Sequence, residues 1–349
     1  MEPSDSHTFL GLEPIEKDVD VVVLSLPYEL TTSYGTGTSQ GPNACIEASG
    51  QVELFDVDLN EDLPAGLAIH TAKAWDGEEP TLLHQLDSMV GYLNPWFEGD
   101  CFPLTLGGEH GILPPLMEAL RNHPRVHEDL SNLTVVQIDA HGDLRSELDE
   151  EPYSHACAAA RALDAGVGQL MQVGIRAFSK EEHERMLSDD RITTFFAQNT
   201  QSPFQGTEHW QAWLDLLHTV EGPVHLTVDI DGLDGSLVPA TGTPVPGGLT
   251  FWQVQQTIQA LFDAPKAVVV SADVNEIVPQ KDTPLTQFTA AMIATKIVAS
   301  HAKARRNGRW NLLGETKGTV RPTSMPTIFR NSIKELFFVD RCSRSTHLS

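Results

Sequence analysis

Residues 133–143 read LTVVQIDAHGD. A short, β-branched apolar run ends abruptly in Asp139, His141 and Asp143. Continuous apolar runs of this length suit strands that are buried on both faces of a parallel sheet. Four further runs have the same character, at 21–26, 102–106, 224–230 and 267–274, each bounded by Gly, Pro or Asp. Segments with helical spacing of apolar residues lie between them, at 113–120, 156–163, 252–262 and 288–304. Strands alternating with helices predict an α/β architecture with a parallel sheet covered on both sides.

No internal repeat and no Ser/Gly/Pro-rich linker divides the chain, so a single domain over 18–305 is the simplest organisation. Residues 1–17 read as a polar N-terminal segment and 306–349 as an appendage, packed or disordered, in which KELFFV at 334–339 is a candidate edge strand. Of the 349 residues, 40% are apolar, enough for one large core. Lys and Arg total 23 against 48 Asp and Glu, a formal charge of −25 that repels nucleic-acid phosphates and argues against a polyanion partner. Cys45, Cys101, Cys157 and Cys342 are far apart and form no CxxC pair, as expected of reduced thiols. The start, MEPSDSHTF, lacks the basic-then-apolar pattern of a signal peptide, and no apolar run approaches the ~20 residues needed to span a bilayer. A cytoplasmic protein with no membrane partner is the expectation.

If the extended backbone continues past 138, its period of two points Asp139, His141 and Asp143 to one side, at the carboxyl end of a strand where α/β sheets bind ligands. Taken alone, a DxHxD segment is as consistent with a solvated polar turn as with a metal site. A second apolar run, VHLTVDIDGL at 224–233, carries Asp229 and Asp231 in the same relation, with Asp234 just beyond. Carboxylates from two strand ends, brought together, repel one another strongly unless a cation neutralises them. The third segment, LTLGGEHGI, places His110 after two glycines that allow close backbone approach at a strand end. His110, Asp139, His141, Asp143, Asp229 and Asp231 make a donor set of imidazole and carboxylate without thiolate. That set disfavours a structural zinc site and suits Mn(II), with Ni(II) or Co(II) also compatible.

GGEH, DAHGD and VDIDGLD, in this order, resemble the three metal-binding motifs of the ureohydrolase (arginase) family, and the likeness covers most of residues 20–304. SYGTGTSQGPNACIEAS, DLRSELDEEPYSHA, QVGIRAFSKEE and PATGTPVPGGLT are similar to further segments of its agmatinase-like branch. Gly235 departs from the pattern, since the family usually has proline after the aspartate that corresponds to Asp234. The resemblance implies a three-layer αβα fold around a mostly parallel eight-stranded sheet, of the arginase/deacetylase-like kind, and two divalent ions per subunit. It puts His110, Asp139, Asp143 and Asp229 on one ion and His141, Asp139, Asp229 and Asp231 on the other. It also implies a homo-oligomer, trimer or hexamer.

The implied reaction is attack of hydroxide on a guanidinium carbon, giving urea and an amine, as in polyamine biosynthesis. Two adjacent divalent ions would lower the pKa of a water from ~15.7 towards neutrality. On the resemblance, Asp143 orients the nucleophile, His155 carries a proton to the leaving amine, and Glu276 accepts hydrogen bonds from the guanidinium. Taken alone, His155 reads as a structural residue at a helix start, and Glu276 as a cap or ion-pair partner. The acidic stretch with Glu147, Asp149, Glu150 and Glu151 favours a small cationic guanidino substrate with an amine tail, agmatine above arginine, although Glu150 and Glu151 suit a solvated surface. The alternatives are another guanidino substrate (guanidine, an alkylguanidine or a guanidino acid) and a catalytically silent partner subunit. A metallophosphatase is disfavoured by the few basic residues near the motifs.

Overall fold

The continuous apolar runs become the middle of one sheet. In the computed structural model, which describes residues 7–15, 18–77 and 79–313, the sheet strands in chain order are β1 Val21–Leu26, β2 Ile69–Thr71, β3 Phe102–Gly107, β4 Thr134–Ile138, β5 Gln169–Ile175, β6 Ile192–Phe196, β7 Glu221–Asp229 and β8 Lys266–Asn275. Their spatial order is β2-β1-β3-β8-β7-β4-β5-β6, and every pairing is parallel. Every residue of β1, β3 and β4 is buried, as strands covered on both faces must be.

The helices are α1 Gly41–Ser49, α2 Leu82–Phe97, α3 Leu113–Leu120, α4 Ala158–Asp164, α5 Lys180–Ser188, α6 Ala197–Thr200, α7 Gly206–Leu217, α8 Phe251–Asp263 and α9 Leu285–Arg306. α1, α9, α8 and α7 pack side by side as one layer, and α2, α3 and α4 as the other, which completes three layers. α9 is buried along most of its length because its Ala, Thr and Ser residues let neighbours approach from several sides, and its last turn carries Lys303, Arg305 and Arg306, where cations oppose the helix dipole. Capping boxes of Ser179 with Glu182 and Thr250 with Gln253 fix the starts of α5 and α8. No helix among the described residues is long and apolar enough to cross a membrane.

The strands expected from the sequence form with ends moved by a few residues. The outer strands escaped notice for physical reasons: β2 has three residues, and β6 (ITTFF) is only partly buried. In β5 the polar Gln169 and Gln172 interrupt the apolar run.

The packed unit is wider than 18–305. Phe9 and Leu10, in the segment read as polar, are buried, and their amides donate to Thr71 Oγ1 at 2.9 Å and Ser49 Oγ at 2.8 Å. Trp310 is buried past the end of α9, with the Arg125 guanidinium carbon 3.8 Å from its ring centroid and Arg125 Nε donating to its carbonyl at 2.8 Å. The candidate strand at 334–339 and Cys342 lie outside the described residues; Cys45, Cys101 and Cys157 are free and buried.

Candidate metal centre

The four adjacent strands at the middle of the sheet, β3, β8, β7 and β4, each deliver side chains at their carboxyl ends. β3 leads through Gly107 and Gly108 to Glu109 and His110, β8 to Glu276, β7 to Asp229 and Asp231, and β4 to Asp139, His141 and Asp143. Segments as far apart in sequence as those of His110 and Glu276, 166 residues, thus meet because the sheet order sets them side by side.

His110 Nδ1 lies 2.9 Å from Asp143 Oδ2, 3.1 Å from Asp139 Oδ2 and 3.7 Å from Asp229 Oδ2. His141 Nδ1 lies 3.1 Å from Asp231 Oδ2 and 3.6 Å from Asp139 Oδ1. Two groups result that could each hold a cation: His110, Asp139 and Asp229, and Asp139, His141 and Asp231, with Asp139 common to both. Asp143 joins the first through its approach to His110. The placement differs in detail from simple alternation. Asp143 sits at φ 51°, in the left-handed region, and Asp231 lies in a 3-10 turn, Ile230–Gly232, so tight turns rather than extended backbone aim both carboxylates.

His110 Nδ1 is buried and has no hydrogen-bond partner among the described residues, although three carboxylate oxygens surround it. Its other nitrogen is engaged: Nε2 lies 2.9 Å from Thr227 Oγ1, and that hydroxyl donates to Asp273 Oδ1 at 2.9 Å. With its one hydrogen given to Asp273, Thr227 can only accept from the ring, which puts the proton on Nε2 and frees the Nδ1 lone pair. A ring nitrogen with an unshared pair among carboxylates fits a divalent cation. On Asp139, Gln137 Nε2 donates to Oδ2 at 2.7 Å and is itself fixed by Gln172, whose amide reaches Gln137 Oε1 at 2.8 Å.

Without an ion the same contacts draw protons instead: burial opposes charge on His110, but Asp139 and Asp143 outweigh it and hold the ring well above the usual imidazole range. Burial and then the charges of Asp231 and Asp139 hold Asp229 well above the usual carboxylate range. Burial, then the charge of Asp139, pushes Asp143 up to about 7. Burial opposes charge on His141, but Asp231 outweighs it and pushes the ring up to about 12. Asp139 goes the other way, held low because its contacts with His110 and His141 outweigh its burial. Carboxylates outnumber imidazoles here, and a pair of divalent cations relieves the surplus that bound protons relieve otherwise.

Glu276 sits at φ 60° with its amide donating to Gly108 O at 2.7 Å, and its Oε1 accepts the His110 amide at 2.7 Å. Burial and the charge of Glu109 raise it well above the usual carboxylate range, and among the described residues no lysine or arginine pairs with it. A cleft of about 270 Å³ opens over the cluster, lined by His141, Asp143, His155, Arg145, Phe178 and Thr243 among others. Burial, and next the charge of His141, lowers His155 to about 4. Glu147, Asp149 and Glu150 are exposed, and only Leu148 of that stretch lines the cleft. The Asp234 carboxylate accepts from Ser236 and from the amides of Gly247 and Gly248, at 2.7 and 3.2 Å for the last two, so the loop at Gly235 is tied down without proline.

Several residues around the cluster were not singled out from the sequence: Thr227, Asp273, Gln137, Gln172 and Arg176 are joined to it by hydrogen bonds, directly or through one another, and Glu109 binds Thr31 beside His155. Polar residues at every second position of apolar strands were the available signal, as in His225, Thr227 and Asp229 of β7 and Ser271, Asp273 and Asn275 of β8.

Comparison with known proteins agrees with this geometry. The sequence model described as "Arginase family" matches residues 19–300. An N(1)-aminopropylagmatine ureohydrolase from Synechocystis is 32% identical over 87% of this chain and 96% of its own length. An agmatinase from Pyrococcus horikoshii is 30% identical over 82% of this chain and 94% of its own. The crystal structure of a hypothetical agmatinase from Burkholderia thailandensis superposes with a TM-score of 0.73 at 26% identity, covering 86% of this chain and 92% of that one.

Proposed function

The chain belongs to the arginase family of ureohydrolases, and from that premise we propose that it hydrolyses agmatine to urea and putrescine with two divalent ions bound. The single observation that carries the reading is the pair of His/Asp groups sharing Asp139 beneath an open cleft. Among donors of this kind Mn(II) is the first choice, with Ni(II) or Co(II) next. His110, Asp139, Asp143 and Asp229 would hold one ion and His141, Asp139, Asp229 and Asp231 the other. When bound, the ions supply a water acidic enough to lose a proton near neutrality.

The chain's own residues do the rest. Asp143, at the cleft edge of the cluster, accepts a hydrogen bond from the nucleophile and orients it. Glu276 gives the cationic guanidinium a buried carboxyl that lacks a lysine or arginine partner; burial favours its neutral form in the free protein, and a bound guanidinium would favour the ionised form that accepts its N–H groups. A C–O bond forms at the guanidinium carbon and the C–N bond to the alkyl amine breaks. The proton lost by the water ends on that amine, carried by His155, whose ring lines the cleft together with Asp143.

An amine-bearing tail is supported by the names of the relatives, an agmatinase and an aminopropylagmatine ureohydrolase. It is also supported by Glu147, Asp149 and Glu150, exposed on either side of the cleft residue Leu148. We read the enzyme as a cytoplasmic homo-oligomer, trimer or hexamer, on family resemblance. Urea release is the test, with Mn- and Ni-loaded protein against agmatine, aminopropylagmatine, arginine, guanidinobutyrate and guanidine. Agmatine is expected to give the highest kcat/KM. Preference for guanidine or for an acid-tailed substrate would move the reading to that substrate, and no urea from any would end it.

A further inference from the structure

Three loops that follow or precede different elements meet at one hydroxyl. Thr31, beyond β1, donates through Oγ1 to Glu109 Oε1 at 2.6 Å. The same oxygen accepts the backbone amide of His155 at 2.9 Å and lies 3.2 Å from His155 Nδ1. Glu109 is fully buried, and its other oxygen takes the amides of Leu30 at 2.9 Å and Thr31 at 2.7 Å. The carboxylate therefore binds the Thr31 residue twice, at main chain and side chain, and leaves the hydroxyl little freedom to turn. Ser154 Oγ contributes a second, longer contact of 3.3 Å to the same ring nitrogen. With Nδ1 turned to Thr31 and Ser154, Nε2 is the nitrogen that faces the cleft His155 lines.

We propose that Thr31, anchored by Glu109, is a positioning residue that holds the His155 ring at its Nδ1 edge so that Nε2 meets the leaving amine. The proposal rests on the reading of His155 as the proton carrier. Without the hydroxyl the ring keeps only the Ser154 contact and its χ torsions are less restricted, so fewer molecules present Nε2 to the substrate at the moment of C–N cleavage. Thr31→Val leaves Glu109 Oε2 with both amide donors but takes the partner from Oε1 and from the His155 amide, a loss of stability that Thr31→Ser avoids.

The experiment compares Thr31→Val, Thr31→Ser and His155→Asn with the unaltered, metal-loaded enzyme, reading kcat, KM, the solvent deuterium isotope effect on kcat, and metal content. Thr31→Val is expected to lower kcat roughly tenfold with KM within about twofold and metal content unchanged, and to raise the isotope effect as proton delivery becomes rate-limiting. Thr31→Ser restores kcat. Thr31→Val with unchanged kcat, beside a strongly impaired His155→Asn, overturns the positioning role and leaves the carrier intact. A fall in kcat that Thr31→Ser shares, or that follows loss of metal, overturns it too. An unimpaired His155→Asn would instead remove the carrier reading on which the proposal stands.

Discussion

Arg176 Nη2 donates to the main-chain oxygen of Asp231 at 2.8 Å, so a guanidinium on β5's exit loop holds the backbone of a candidate metal ligand on β7's. The same group reaches Leu233 O at 3.1 Å, Gly174 O at 3.0 Å and Val245 O at 3.2 Å through its three nitrogens. Only a planar fork of five N–H donors can serve carbonyls fanned in this way. Arg176→Lys keeps the charge and loses the fan. It is expected to cost about 2 kcal/mol, seen as several degrees of Tm, and to weaken metal retention. An unchanged melting curve and metal content would show that the loop carries itself.

Asp139 belongs to both cation-holding groups and Asp231 to one. Asp139→Asn is therefore expected to lose most of the bound metal, whereas Asp231→Asn leaves His110, Asp139 and Asp229 intact and should keep about half. Elemental analysis after gel filtration reads the difference. Equal retention by the two variants would contradict a shared Asp139.

Gly108 is wedged against the carbonyl of Tyr28, which leaves no room for a Cβ. Its own amide donates to Leu26 O at 2.9 Å, and its carbonyl accepts from Glu276 at 2.7 Å. It cannot shift without moving Glu109, His110 and Glu276 together. Gly108→Ala is expected to cost about 1–3 kcal/mol of stability and to cut activity by far more than that loss of folded protein would explain. A variant with full activity per folded molecule would show that the loop relaxes without disturbing the site.

The sequence carries the middle of the fold openly, because β1, β3 and β4 are buried throughout and β7 and β8 along most of their length, so apolar residues dominate all five. The ligand candidates are equally legible, since each follows such a run at once. What alternation could not foresee is how Asp143 and Asp231 reach the centre, because a left-handed residue and a 3-10 turn depend on neighbours supplied by other strands. The supporting residues are half legible. Thr227 and Asp273 stand out as polar positions in apolar strands, yet only the β7–β8 pairing, which sets Thr227 beside Asp273, says what they touch. Thr31 has no local signal at all: its role exists only where three distant loops meet.

His301 offers a test that does not depend on the active site. Its ring is fully buried, stacked on Phe102 with centroids 4.4 Å apart and edge-on to Trp310 at 4.8 Å, and neither nitrogen has a hydrogen-bond partner among the described residues. Burial, with Arg305 and Arg125 nearby, holds its pKa well below the ordinary 6.5. The folded chain keeps the ring neutral, while the unfolded chain protonates it as pH falls through 6.5. Stability from this residue is therefore complete above that pH. Below it, about 1.4 kcal/mol is lost per pH unit until the folded pKa is reached. His123, lowered to about 3 mainly by burial and then by the charge of Arg125, loses stability in the same direction. His301→Phe fills the same aromatic slot without an ionisable group. Its advantage over the unaltered protein should grow by about 1.4 kcal/mol for each unit from pH 6 to pH 4 in urea unfolding, and stay constant above pH 7. A pH-independent difference would mean that the buried ring finds a proton acceptor and titrates normally.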